Sequence, residues 1–572
     1  MHGWLDDLDT LIEELGAEAH GAGRNPARLY DLALSRWGDE TDLKLTGTYA
    51  AITSLGDGRL RLARSPWSAP PLHFVHSAER AMASSVIRVL FEAGHPREVD
   101  YEFVADQLVQ DHRPLQTVGW YRGVSRVPIG TRIVLSAKGA EITPYYDPHR
   151  VTPVHLPRDE DYVAAAHDLL ARSARLALQD CRRPGLMLSG GLDSAMCATA
   201  LLGELPSERR LATFTFCPDP AWDGRNQSTQ FGNERPYVEA FAAMHPRIDA
   251  MFDNTGQFDT GLRDILRAND LPTANVANTG KYHGPWQMAR TAGCDWLFNA
   301  EFGNFTISND GRWSYVEYLK RGKWRQLAKA LAQRGGDGRP LWRKVLALSI
   351  LPLVPRRLRV ALRRLVHPGD GDPVSNVSGL SPAARAAQAE RARERGTDAL
   401  MDDYHYPRSR AEFIARIWES ADSGEDLDLA FERLYGIRRR DITAHRPLIE
   451  FCLGVPTRQY IHEGVDRWLA RRMAEGRIPE KQRTERRQGN HHPDWHVQLG
   501  RRRAELAESL ERLRDHPVLG EMLDIDRLNG LLEDWPEVAP LDKAQALPRA
   551  FAMTRALTAA SFVCYAEGRN DF

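Results

Sequence analysis

At 572 residues the chain exceeds one ordinary hydrophobic core, so two or more domains are expected. Hydrophobic residues make up 42% and charged residues 27%, which excludes a disordered or membrane-embedded class. A formal net charge of −1 argues neither for nor against nucleic acid and leaves any electrostatic partner to a local patch. The six cysteines, Cys181, Cys197, Cys217, Cys294, Cys452 and Cys564, include no CxxC pair, which fits a reducing cytosol and supplies no disulfide or zinc framework. Met1 to Glu14 is acidic and amphipathic, unlike a signal peptide, and the longest apolar stretch, near Val345–Pro355, is far short of a membrane span. A cytoplasmic location is expected.

Residues 1–150 read as a small α+β unit. Lys44–Ile52 has strand character, Asp57-Gly58 marks a hairpin turn, and Arg59–Arg64 alternates as the returning strand. Thr131–Leu135, a turn at Lys138-Gly139 and Glu141–Tyr145 repeat the pattern, with helices expected at 79–93 and 101–110. From Asp159 the pattern changes. A helix over Tyr162–Asp180 leads to an apolar strand at Gly185–Leu188, a Ser-Gly-Gly loop, a helix through Leu202 and a strand at Leu211–Phe216. That order reads as a βαβ unit of a parallel sheet. A helix at Pro285–Ala292 and a strand at Trp296–Phe298 follow, and 400–570 reads as mostly helical. Residues 320–366 form a basic block in which Asp337 is the lone acid, read as a solvated helical face or as a dock for an acidic peptide, a protein or an anionic membrane surface. Residues 367–396, rich in Gly, Pro, Ser, Ala and charge, read as a mobile linker.

The segment that carries chemistry is Ser189-Gly190-Gly191-Leu192-Asp193-Ser194. Glycines let the backbone turn tightly and approach oxygens closely. Amides at a helix N-terminus favour an anion. Ser189 and Ser194 offer hydroxyls to phosphate. Asp193 repels a bare phosphate and makes sense where Mg²⁺ lies between carboxylate and pyrophosphate. No GxxxxGK[ST] occurs, so this is not a Walker loop. His491, His492 and His496 lack the carboxylate or thiol that would complete a metal set and read as a solvated loop.

This hexapeptide resembles that of the ATP-pyrophosphatase (PP-loop) family, in its asparagine-synthetase branch. Asn233–Tyr237, the loop Leu297–Asp310 and the stretch from Tyr435-Gly436 through Arg440-Asp441 to Phe451 extend the likeness over roughly 160–515, with the basic block as a departure. The resemblance implies an α/β fold with a PP-loop parallel sheet and a helical C-terminal part over 158–572. Gly47–Ala50, Arg64–Phe74 and Trp120–Pro148 resemble an N-terminal-nucleophile glutaminase domain, but residue 2 is His and no cysteine precedes Cys181. A degenerate glutaminase-like domain over 1–150 is therefore expected, with the amine supplied by a substrate, as in β-lactam synthetases and lasso peptide macrocyclases.

The loop Ala300–Gly311, with Asn304 where asparagine synthetases have Asp, and the stretches Arg486–Gly489 and Pro493–Trp495 resemble the lasso cyclase branch. That likeness implies adenylation of a precursor Asp or Glu side chain by ATP and attack by the peptide's N-terminal amine to close an isopeptide macrolactam. By the same likeness Ser189 to Ser194 hold pyrophosphate, Asp193 and Asn304 take the metal side, and Glu301 orients or deprotonates the amine. Arg487 stabilises developing charge, and Leu188, Phe216 and Ala300 offer backbone contacts to adenosine. Implied partners are a precursor peptide, a leader-binding protein and a leader protease, with no nucleic acid. Two alternatives stay open: an amidotransferase-like enzyme using free ammonia or an internal amine, and an inactive peptide-binding scaffold.

Overall fold

The computed structural model describes every residue except 57, 110–118, 255–259, 273–275, 336, 367–373, 396–405, 423 and 570–572. In residues 1–150 a five-stranded antiparallel sheet runs in the order β1 (His2–Leu5), β2 (Gly47–Ser54), β3 (Leu60–Arg64), β7 (Thr131–Ser136), β8 (Gly139–Pro144). A smaller sheet joins β4 (His73–His76) to β5 (Ala81–Ser84) and β6 (Ser125–Arg126). The expected β2–β3 and β7–β8 hairpins are both present, although Asp57 of the first turn lies outside the described residues. The helix expected over 79–93 is confined to Arg88–Glu92, because Ala81–Ser84 pairs with β4. The helix expected over 101–110 spans Tyr101–Gln107, and position 110 lies outside the described residues.

The second sheet is wholly parallel. Its order is β12 (Ile248–Asp253), β10 (Leu211–Phe216), β9 (Pro184–Met187), β13 (Trp296–Asn299), β14 (Arg438–Asp441). Helices Asp159–Leu178 and Leu192–Glu204 cover one face through Leu170, Ala174, Met196 and Leu201. Ile265, Trp286 and Phe431 from three helices cover the other. The chain moves outward from β9 to β10 and β12, then returns to the opposite side of β9 at β13. That reversal opens a crevice beyond the carboxyl ends of β9 and β13, where ligands bind in open α/β sheets.

Residues 374–395 are not the mobile linker expected over 367–396. Helix Pro382–Glu394 is capped by Ser381, buries Gln388 and Ala392, and binds Asp106 of the front unit through Arg391 and Arg395. Alanine-rich composition, read as linker, is here good helix former. Residues 367–373 and 396 lie outside the described residues. The C-terminal helices share a core with the front unit: Phe562 packs edge-on against Trp120 and Tyr121, at 5.2 and 5.4 Å between ring centroids.

Candidate active site

The apolar strand β9 ends at Met187, and Leu188 still donates its N–H to the Phe214 carbonyl at 3.1 Å. The chain then turns through Ser189–Gly191 into helix Leu192–Glu204. Ser189 N–H donates to Ser194 Oγ at 3.0 Å, Gly191 N–H donates to Ser189 Oγ at 3.2 Å, and the two hydroxyls lie 2.8 Å apart. These bonds shape the loop from within. Extended Gly191 precedes the helix and no side chain caps it, so its first amides face the crevice. A β-carbon at Gly190 would press on the rings of Tyr237 and Phe231 at 3.1 and 3.2 Å.

Asp193 sits in the first turn and is buried, and its Oδ1 has no hydrogen-bond partner. Burial raises its carboxyl above the ordinary range, against the pull of Arg467 and Ser308. A β-carbon at Gly303 would lie 2.3 Å from that oxygen, so the 3-10 turn Glu301–Phe305 closes directly over Asp193. One buried carboxylate with an unpartnered oxygen beside the glycine turn at a helix N-terminus fits Mg²⁺, which takes one or two carboxylates and completes its shell with phosphates and water. Asn304 is held differently from expectation: its Oδ1 accepts from Arg467 at 3.1 Å and is thus engaged by a cation. Arg467 itself has a left-handed backbone, φ 53°, a conformation that costs a bulky residue free energy and recurs at functional sites.

Glu301 is largely exposed and pairs with Arg439 at 2.8 Å. Arg439, from β14, also bonds Asp428, and Asp441 accepts the Phe302 N–H at 2.8 Å. One guanidinium therefore serves several acids, and burial pushes Asp428 up to about 7 and Asp441 up to about 6.

Arg487 is pinned by Glu485 at 2.6 Å and donates to the Tyr237 hydroxyl at 3.0 Å; that hydroxyl donates to Glu485 at 2.5 Å. The Arg487 ion pair, with the Tyr237 hydroxyl, holds Glu485 down at about 2. A two-residue parallel pair, β11 (Gln230–Phe231) with β15 (Gln488–Gly489), brings this loop beside the phosphate turn, and Gln482 donates to the Gly191 carbonyl at 3.1 Å.

Ser189 to Ser194, Glu301, Asn304, Arg467, Gln482, Glu485 and Arg487 line one cavity of about 990 Å³, together with Leu188, Phe216 and Ala300 at the strand ends. A model of the asparagine synthase family matches residues 165–304 and 443–557. The chain carries an asparagine synthase domain. It is an ATP-dependent, AMP-forming ligase of asparagine synthetase type.

The two matched segments of the synthase domain bring the phosphate turn and Glu301 together with Arg467, Glu485 and Arg487; the unmatched interval 305–442 contributes Asp428 and Arg439. Among solved structures, the U34-tRNA thiolase NcsA from Methanococcus maripaludis, determined with its 4Fe–4S cluster, aligns with 48% of this chain and 80% of its own at 13% identity. The TM-score of 0.18 is too low to bear on fold or function. No curated protein matches the chain.

Every residue expected at the site of the synthase domain lines this cavity. Arg467, Glu485, Gln482 and Tyr237 were not named as site residues, because long separation in sequence hides their approach; of these only Tyr237 fell in a stretch, Asn233–Tyr237, that the sequence singled out. His491 and His492 line the cavity rim, while His496 stacks on Trp535 and bonds the Pro536 carbonyl at 2.8 Å. No group of three metal-ligating His, Cys, Asp or Glu side chains occurs among the described residues.

Proposed function

We propose that this ligase is a lasso peptide cyclase: it adenylates an Asp or Glu side chain of a precursor peptide and joins it to the peptide's N-terminal amine. The observation that carries the reading is the pairing of a complete phosphate turn with a front unit, residues 1–150, that contains no cysteine. Read as a degenerate glutaminase-like domain, that unit holds no thiol to release ammonia from glutamine. The amine then comes from the substrate.

In this reading the amides of the first helical turn and the hydroxyls of Ser189 and Ser194 seat the pyrophosphate of ATP. Adenosine lies against the backbone of Leu188, Phe216 and Ala300. Asp193 would hold Mg²⁺, which supplies charge neutralisation across the phosphates when bound; Asn304 stands on the same side, tied to Arg467. The peptide carboxylate attacks the α-phosphorus, its oxygen forming the new P–O bond as pyrophosphate leaves. The N-terminal amine then attacks the acyl carbon and AMP departs with the bonding pair. Glu301, poised against Arg439, orients the amine or takes its proton, and Arg487 stabilises the developing negative charge. Phe305, Phe413 and Ile417 on the cavity wall supply an apolar surface for the folded peptide tail. Holding tail, carboxylate and amine together is an orientation task, and rate comes from it. A separate leader-binding protein and leader protease would deliver the substrate in the cytoplasm.

Exchange of radiolabelled pyrophosphate into ATP tests this. Exchange driven only by a leaderless peptide, with a product lighter by one water in mass spectrometry, is the expected result. Exchange driven by free aspartate would move the assignment to an asparagine-synthetase-like enzyme using ammonia, and no exchange with any carboxylate would leave a scaffold.

A further inference from the structure

More than half of the exposed large apolar side chains described in the chain fall between residues 324 and 365. Helical residues 341–353 are apolar on two faces. The inner face buries Leu348 against Tyr315, Leu327 and Ile461. The outer face carries Trp342, Leu346, Ile350 and Leu353, spaced four, four and three residues apart, with Leu341 beside them, all exposed. After Val354-Pro355 the helix Arg356–Val366 presents Leu358, Leu362 and Leu365 at the same spacing, the last 78% exposed. The joint is locked: buried Arg359 donates to the carbonyls of Pro352 and Val354 at 2.9 and 2.8 Å. The two stripes are thus joined through a turn held by Arg359.

Its charge is one-sided. Residues 320–366 contain fourteen Lys and Arg against Asp337, and that acid is taken by Arg339 at 2.7 Å. With a net charge of −1 overall, the rest of the chain is acidic. Lys323, Arg325 and Arg357 are exposed, and Arg343 lies over the Trp342 ring at 5.1 Å. No helix among the described residues is long and apolar enough to cross a membrane.

We infer that the segment 341–366 docks the enzyme on an anionic lipid bilayer surface. Leucines at helical spacing enter the acyl boundary, tryptophan sits at the headgroup level, and flanking cations meet the phosphates. A second copy of the same face would bring like charges together, which disfavours self-pairing. The basic block 320–366 touches the candidate site: Arg486, on the cavity, donates to the Gln333 carbonyl at 3.2 Å. Docking of this surface does not depend on which peptide the ligase closes.

Flotation of the full chain with phosphatidylglycerol vesicles is expected to recover it in the lipid fraction. Phosphatidylcholine vesicles, or phosphatidylglycerol in high salt, should retain at least tenfold less. The triple variant Trp342→Ser, Leu358→Ser, Leu365→Ser changes outward side chains only, so circular dichroism and melting should match the parent while flotation falls at least tenfold. Failure of the parent to float, equal binding to neutral lipid, or full binding by a folded triple variant would overturn the inference. A dimer in light scattering that the triple variant dissolves would assign the face to a second copy instead.

Discussion

Gly303 lacks a β-carbon at the one place where Asp193 leaves no room for it, and the two residues define each other's geometry. Gly303→Ala drives a methyl group to within 2.3 Å of Asp193 Oδ1. We expect about 1–3 kcal/mol of lost stability by denaturant melting, typical of overpacking, with pyrophosphate exchange lost through the displaced carboxylate. Asp193→Asn keeps the shape and removes the charge, so exchange should fall by about a hundredfold or more at unchanged melting temperature, the scale seen when one preorganised electrostatic group is removed. The acids around Arg439 give a pH signature. Asp428 and Asp441, raised to about 7 and about 6 from 3.8, hold protons more tightly folded than unfolded. Their contribution is full below about pH 4 and is lost as pH rises through the folded values, so the melting temperature should fall between pH 5 and pH 8. Asp428→Asn should flatten that fall, measured by calorimetry.

Among the elements, helix Pro382–Glu394 turns a composition typical of linkers into a clamp. Ser381 donates its hydroxyl to the Glu521 carbonyl at 2.7 Å, and its N–H to the Met522 carbonyl at 2.8 Å, while Val374 and Leu380 enter the core shared with the C-terminal helices. Deleting 374–395 should therefore expose Leu523, Leu528 and the Asp106 carboxylate, lower the melting temperature sharply and abolish exchange. A deletion variant with full activity would return this segment to the status of a tether. The short β11–β15 pair has the opposite character: two residues per strand are marginal alone, and packing around Phe231, Tyr237 and Gly489 holds them. It was invisible in the sequence because no two-residue strand carries a periodicity.

At the scale of the whole molecule, the front unit braces the Glu301–Phe305 turn of the candidate site. Trp67, in left-handed conformation at φ 64°, packs edge-on against Phe302 at 5.5 Å and against Trp418 at 4.8 Å. Arg64, fully buried, forks onto Asp422 at 2.7 and 2.9 Å, and Arg126 joins the same carboxylate at 2.7 Å. Arg64→Ala leaves Asp422 buried beside a lost partner, and we expect about 3–5 kcal/mol of destabilisation in urea melting. If the front unit only decorated the ligase, exchange by the surviving folded fraction would match the parent; a lowered kcat in that fraction is the expected result.

What the residues determined alone was the phosphate turn, its flanking strand and helix, β10, β13 and the two hairpins of the front unit, because each rests on local periodicity, glycine conformation and helix-end electrostatics. The strands β12 and β14 went unread: Ile248–Asp253 carries no strict alternation and Arg438–Asp441 is wholly charged, and both become strands by pairing with a sheet edge. Tertiary structure alone decided that Arg467 reaches Asn304, that Glu485 restrains Arg487, that Arg439 gathers the acids around Glu301, and that the apolar stripe of 341–366 lies outward. Each of these joins or separates groups far apart along the chain, and such distances are set by packing, on which local sequence is silent.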